Sequence, residues 1–426
     1  MRVILIICLL GVFMTCCKPK SQKINLPAPK AAIYGNDTLD LDTAIYYDKV
    51  LGALVGSAIG DAMGASTEMW HRKQIQLSYG YINGLTPAVR EQSPEGTWDH
   101  NLLAGATTDD TRWKYLMVKY IVANKNNLNA SNFAGFITSY YQSLTKDLAT
   151  ENIQKSTDAL DTQIEKIDWI KEWARVSIAY QKNTEAYTEA QHRFYGGEMS
   201  CAGQLYTPMF GLIAKNPVEA YEMAYEHSLF DIGYAKDISA LVSAMTHMAM
   251  RTKNMDSIMN TTTFIDPKGY QDSRLVGRIP YAILDAGQKN IRRIKELVLI
   301  DSLIAKDSIV FKVPRGFLGS NKDWVRQEMA YKLLEKDERA IAFHSAEIWQ
   351  ILVTGMEFGE GDFEKTLQFI VNYGRDNDTV AAVAGMILGA KDGYTNLPVH
   401  LREEILRVNK DNLGIDLEAL AKEMVN

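Results

Sequence analysis

Leu51-Gly-Ala-Leu-Val-Gly-Ser-Ala-Ile-Gly-Asp-Ala-Met-Gly-Ala-Ser-Thr-Glu-Met69 sets Gly52, Gly56, Gly60 and Gly64 four residues apart, on one face of a helix. A helical glycine costs up to about 1 kcal/mol relative to alanine, so four at this spacing need a compensating reason. The reason that fits is a smooth face, with Ala53, Ser57, Ala58 and Ala65 beside the glycines, that lets another backbone come very close. A membrane helix pair would use the same device, but Asp61 and Glu68 interrupt this run and its apolar stretch is too short to span a bilayer. The helix is therefore expected at the centre of a soluble all-α core. A second helix of low bulk follows Gly374, where Ala381, Ala382, Ala384, Gly385, Gly389 and Ala390 carry little side chain.

That second helix opens on Asp376-Asn377-Asp378-Thr379, and a third opens on Thr108-Asp109-Asp110, ahead of Trp113, Leu116, Met117, Tyr120 and Ile121 at helical spacing. The two segments offer four carboxylates and two hydroxyls, hard oxygen donors that suit Mg²⁺ or Mn²⁺ rather than zinc. Either alone reads equally well as helix capping, since Thr and Asp favour the N-cap and acids in a first turn complement the helix dipole. An EF-hand is ruled out for the second segment, because Val380 stands where an oxygen ligand is required and no glycine occupies the sixth place.

In order and spacing, the helix GALVGSAIGDAMGASTE, then TTDDT, then GRDNDTVAAVAGMILGA resembles the ADP-ribosylglycohydrolase family over roughly residues 47 to 396. The resemblance implies an all-α fold, a compact orthogonal multi-helix bundle, holding two Mg²⁺ ions, with Mn²⁺ as the substitute. It implies Thr108, Asp109, Asp110, Asp376, Asp378 and Thr379 as metal ligands, and Glu68 as a catalytic or gating carboxylate, with Asp109 and Asp110 counted beside it in the catalytic set. Where the family usually shows GGDTDT, Arg375 and Asn377 are substitutions. The glycine loop that approaches a diphosphate in the family corresponds to Gly196-Gly-Glu-Met-Ser-Cys-Ala-Gly203, so Gly196, Gly197 and Ser200 are expected at the substrate, although Glu198 would repel a diphosphate. His227 resembles the family's histidine near the ligand; a histidine satisfied within a helix end is the competing reading.

The expected reaction is metal-dependent hydrolysis of an N- or O-glycosidic bond to ADP-ribose or a related ribosyl compound, free or on a protein. The alternative is an exported protein that binds ADP-ribose or a nucleotide without turnover. A net charge of −6 gives no electrostatic footprint for nucleic acid. The short basic cluster from Lys289 to Lys295 reads as a solvated helix face. Trp113, Trp169, Trp173 and Trp349 are expected in the core, with the neighbourhood of Tyr195 or Phe230 available to stack on adenine. Residues 253–340 match the family least and read as an insertion on one face, with loop signals around an amphipathic helix from about Ile291 to Ile304. A monomer is expected.

Met1-Arg2, the apolar run Val3 to Met14 and Cys16-Cys17 have the layout of a lipoprotein signal over residues 1–17. Residues 18–45, rich in Pro, Lys and small polar residues, read as a tether, and 46–426 as one domain in which Cys201 is the sole cysteine, so no disulfide framework holds it. The protein is thus expected to be exported and to meet the membrane only through a lipid on Cys17, with Cys16 as rival site and plain secretion as the alternative. In a bacterial host the full chain should incorporate labelled fatty acid and sediment with membranes, and Cys17→Ser should release it. An intact N-terminus on a cytosolic protein would refute export.

Overall fold

The computed structural model describes residues 39–89, 101–125, 127–150, 157–194, 199–297 and 312–426. The signal segment 1–17, the tether up to residue 38, and Tyr195, Gly196, Gly197 and Glu198 lie outside them. The chain runs α1 (Thr43–Gly64), β1 (Trp70–His71), α2 (Arg72–Ser78), β2 (Ala88–Val89), β3 (Asn101–Leu102), α3 (Asp109–Ala123), α4 (Ala130–Thr150), α5 (Thr157–Lys182), α6 (Thr184–Phe194), α7 (Ala202–Tyr206) and α8 (Pro208–Ile213). It continues through α9 (Pro217–His227), α10 (Tyr234–Arg251), α11 (Met255–Phe264), α12 (Ile279–Lys295), α13 (Asn321–Leu334), α14 (Ser345–Gly359), α15 (Phe363–Tyr373), β4 (Gly374–Arg375), α16 (Asn377–Asp392), α17 (Val399–Leu413) and α18 (Leu417–Val425). The fold is all-α; its strands form two-residue antiparallel ladders, β1 with β4 and β2 with β3.

Helix α1 begins at Asp42, whose side chain accepts from Ala44 N, and is buried on every side from Val50 to Gly64. A helix apolar all round belongs inside a protein, and here its principal neighbour is α16. The two run antiparallel in fixed register: Gly52 faces Gly389, Gly56 faces Gly385, Gly60 faces Ala381, and Gly64 meets Asp378. A Cβ on Gly56 or Gly60 would fall onto the carbonyl of the facing residue, and one on Gly385 or Gly389 would fall onto α1 in return. The low-bulk faces read from the sequence are therefore the two sides of one contact.

Around this pair, α3 buries Trp113, Leu116, Met117, Tyr120 and Ile121. Trp113 meets Trp173 edge-on at 4.4 Å and also contacts Trp169, Tyr206 and Phe230, while Trp349 is buried and donates to Pro280 O. The tryptophans pack the core as expected, and Phe230 is fully buried among them, so it is not available as a stacking platform.

The 253–340 region differs from the expectation of an insertion on one face. Its described part supplies α11, α12 and α13, which bury Leu284, Ile291, Trp324 and Tyr331, and Glu328 of α13 takes a buried bidentate ion pair from Arg72 at 2.6 and 2.9 Å. The amphipathic helix starts at Ile279 rather than near Ile291, because Pro280 suits a first helical turn and the apolar face starts there, and the expected stretch from residue 298 to 304 lies outside the described residues. Its basic end is solvated and paired, Lys289 with Asp285 and Lys295 with Glu360. Among the described residues no helix is long and apolar enough to cross a membrane.

Gly60→Val should lower stability by at least about 2 kcal/mol despite valine's better helix propensity, because the facing atoms are backbone and cannot yield. Gly84→Ala, whose added carbon would have only Leu401 Cδ2 at 4.0 Å, should stay within about 0.5 kcal/mol in the same denaturant titration. Equal stability of the two variants would show that the α1–α16 contact is not tight.

Candidate metal centre

The register that seats Gly64 on Asp378 brings the end of α1 to the start of α16. Beyond Gly64 the chain turns and delivers Glu68, and Met69 N then donates to Arg375 O at 2.7 Å, opening the β1–β4 ladder in which Trp70 pairs with Arg375. This ladder ties the Glu68 arm to the Asp376 arm. Met69 and Arg375 both adopt left-handed backbone, φ +62° and +64°, which is strained for residues with side chains and clusters at functional positions. Arg375 occupies the place where the family pattern has glycine, and this φ explains the preference. The arginine is held there by Glu347, which takes its Nε at 2.6 Å and its second guanidinium nitrogen at 3.1 Å, and by the carbonyl of Arg339 at 2.8 Å.

Glu68, Asp376 and Asp378 converge, with ligand oxygens within 4.8 Å of one another, all buried. Thr108 Oγ1 lies 3.5 Å from Asp378 Oδ2, and Thr379 Oγ1 donates to Asp110 Oδ2 at 3.0 Å, so the two segments read as ligand-bearing do meet. Capping does not explain them: neither Thr108, preceding α3, nor Asp376, preceding α16, makes a side-chain capping bond. Asp109 is partly accessible, and its electrostatic neighbours include Asp110, Glu68 and Asp61.

Burial and repulsion from neighbouring carboxylates hold Asp378 and Asp109 above the ordinary range. Asp378 is raised well above it by burial first, then by Glu68, Asp376, Asp110 and Asp61. Asp109 is raised by burial, then Asp110, Glu68 and Asp61, against Arg112. Lys114 neutralises part of the charge through a buried pair with Asp110 at 3.1 Å. Six carboxylates set against Lys114 and Arg112 leave a strong excess of negative charge, and Asp378 Oδ1 is buried without a hydrogen-bond partner. Carboxylate and hydroxyl oxygens of this kind fit a hard divalent cation. A soft donor also lies nearby, Cys201, whose Sγ is 3.8 Å from Asp376 Oδ2.

The substrate-side residues fare differently. Ser200 is buried and forms an isolated β-bridge with His344, one residue before Cys201, so its segment reaches the edge of the centre. Gly196 and Gly197 lie outside the described residues. His227 is the last residue of α9 and fully buried, its Nε2 2.9 Å from Tyr120 Oη and its Nδ1 2.7 Å from Met223 O. Burial lowers its pKa to about 4, so it stands as a neutral ring within an aromatic layer of Tyr120, Phe133 and Phe210.

One residue of the centre went unassigned in the sequence. Asp61 is completely buried in α1 and accepts from four donors: Thr108 N and Oγ1 reach Oδ1 at 2.9 and 2.8 Å, and Thr111 N and Oγ1 reach Oδ2 at 3.0 and 2.6 Å. The signal that could have found it is an acid on a glycine-lined helix that must be buried, since a buried carboxylate needs partners.

Compared with known proteins, the chain is 21% identical over 375 residues to the uncharacterized protein YegU of Escherichia coli (strain K12), covering 88% of this chain and 97% of that one. Among solved structures it is similar to a chain of an ADP-ribosylglycohydrolase-related protein complex, with TM-score 0.49 and 16% identity over 90% of this chain and 98% of the other. The ADP-ribosylglycohydrolase family profile matches residues 42–426. A match over nearly the whole folded region shows that the chain belongs to the ADP-ribosylglycohydrolase family.

Proposed function

We propose that the protein is a metal-dependent hydrolase that cleaves an N- or O-glycosidic bond to ADP-ribose or a related ribosyl compound. Family membership supports a glycohydrolase, and the observation that carries the finer reading is the convergence of Glu68, Asp376 and Asp378. Asp376 and Asp378, with Thr108, Asp109, Asp110 and Thr379, would hold two Mg²⁺ ions, or Mn²⁺ in their place. Bound there, such ions supply Lewis acidity, acidifying water and fixing substrate oxygens.

The chain's own groups account for the rest. Glu68, 8% exposed, stands against the two aspartates and would take a proton from water as that oxygen bonds to the anomeric carbon. The glycosidic bond breaks towards the leaving group, which gains a proton, and the carboxylates steady the positive charge that builds on the sugar. Asp109, partly accessible, lies on the solvent side of the acids, and the Met199–Cys201 segment borders Asp376. For an exported enzyme we infer scavenged ADP-ribosyl compounds, nucleosides or sugars as substrates, rather than ADP-ribosylated protein inside the cell.

The test is product release from ADP-ribosylated arginine, ADP-ribosylated serine and small-molecule substrates with Mg²⁺ or Mn²⁺, beside equilibrium binding of ADP-ribose. Asp378→Ala should lower metal occupancy and abolish turnover while the helical circular dichroism is kept. Glu68→Gln should cost on the order of 10²- to 10⁴-fold in turnover, the usual scale for acid–base catalysis, with ADP-ribose affinity changed far less. Tight ADP-ribose binding without turnover on any substrate would favour the binding-protein reading. Full turnover by the Gln variant would move the proton acceptor to another group.

A further inference from the structure

The two threonines of the centre share one arrangement. A hydroxyl has one hydrogen and two lone pairs, so the acceptor it faces decides which way the lone pairs point. Thr379 Oγ1 donates to Asp110 Oδ2 at 3.0 Å. Thr108 Oγ1 has two carboxylates within reach, Asp61 Oδ1 at 2.8 Å and Asp378 Oδ2 at 3.5 Å, and the shorter contact takes the hydrogen. Asp61 is held to this duty from both sides: its other oxygen is filled by Thr111 N and Oγ1, and Thr108 N approaches both oxygens at 2.9 and 3.1 Å. Two of these donors are backbone N–H groups, which can only donate, so Asp61 is fixed as the acceptor on both sides.

We propose that Asp61 is the positioning residue of the metal centre: by taking the hydroxyl hydrogen of Thr108, it leaves that oxygen's lone pairs directed towards Asp378, where they can ligate a cation. The proposal rests on the metal-dependent reading above and assigns no ligation to Asp61 itself. Groups that orient ligands from outside a metal's coordination shell are typically worth 10- to 100-fold in affinity. Asparagine at position 61 keeps one acceptor oxygen and sets an N–H₂ in place of the other; with the N–H₂ on the Thr108 side, that hydroxyl accepts and its hydrogen is freed to turn towards Asp378.

The roles of tie and of orienter separate in mutants. Thr111→Val removes the 2.6 Å bond to Asp61 without touching Thr108, so it should lower thermal stability but leave Mg²⁺ or Mn²⁺ affinity, by calorimetry, within about 2-fold. Asp61→Asn should weaken metal binding by about 10- to 100-fold. Combined with Thr108→Val, it should cost nothing further beyond Thr108→Val alone, because the hydroxyl through which it acts is gone. Unchanged metal affinity in Asp61→Asn, or losses in the Asp61 and Thr111 variants that track stability alone, would overturn the proposal. Should Asp61→Asn fail to fold, a neutron structure of the wild type decides the matter directly: deuterium on the line from Thr108 Oγ1 to Asp61 supports it, and deuterium aimed at Asp378 refutes it. If the wild type binds neither cation, the metal-dependent reading falls, whatever the hydroxyl's orientation.

Discussion

Everything in this fold is referred to the contact between α1 and α16. Two helices whose backbones touch cannot slide, since moving either by one residue would drive a side chain into a carbonyl. The antiparallel register from Gly52–Gly389 to Gly60–Ala381 is therefore sterically fixed, and its last step places Asp378 on Gly64. Four glycines that weaken α1 as an isolated helix thus become the means by which a carboxylate on one helix is set against the end of another. Active-site groups need placement finer than a soft hydrophobic interface allows, and backbone-on-backbone packing supplies it.

The centre is stable only as a set. Buried carboxylates repel one another: beyond their burial, Asp109 is held up by Asp110 and Glu68, and Asp378 by Glu68 and Asp376. Asp61 is raised to about 7 by burial and then by Asp110, even though Thr111 and Thr108 donate to it. A group of acids in this state would normally give up charge by taking protons; a divalent cation lets them keep it. Thr108 and Thr379 give their hydrogens to carboxylates, Asp61 and Asp110, whereas a hydroxyl hydrogen facing a cation would oppose binding.

Much of this was legible in the chain. The glycine spacing, the low-bulk face after Gly374 and the apolar stripe of α3 are local patterns, and each became the element it suggested. The acids were readable as residue types, and the structure brings Thr108 to Asp378 and Asp110 to Thr379. What stayed hidden depends on partners distant in sequence. Asp61 looked like an interruption of an apolar run because its four donors lie 47 to 50 residues away. His227 was readable both as a substrate-side histidine and as one satisfied at a helix end, because nothing near it in the chain announces Tyr120 beside its ring nitrogen. The start of α12 was misplaced because isoleucines at helical spacing drew the eye to Ile291, whereas the face that packs begins at Pro280.

Arg375 shows how a departure from a family pattern can be accommodated. A left-handed backbone costs a residue with a Cβ of order 1–3 kcal/mol, which glycine avoids. The conformation cannot relax, because Arg375 O is committed to Met69 N and the following residue must present Asp376 to the centre. The arginine offsets that cost with charge-assisted bonds to Glu347, a buried acid that also accepts from Arg339 N. Through Glu347 in the first turn of α14, the strained loop is braced against the segment whose Ser345 N bonds Met199 O and whose Phe343 O accepts from Cys201 N. The substitution therefore adds a second link between the Asp376 arm and the Met199–Cys201 segment, beside the direct contact of Cys201 Sγ with Asp376 Oδ2.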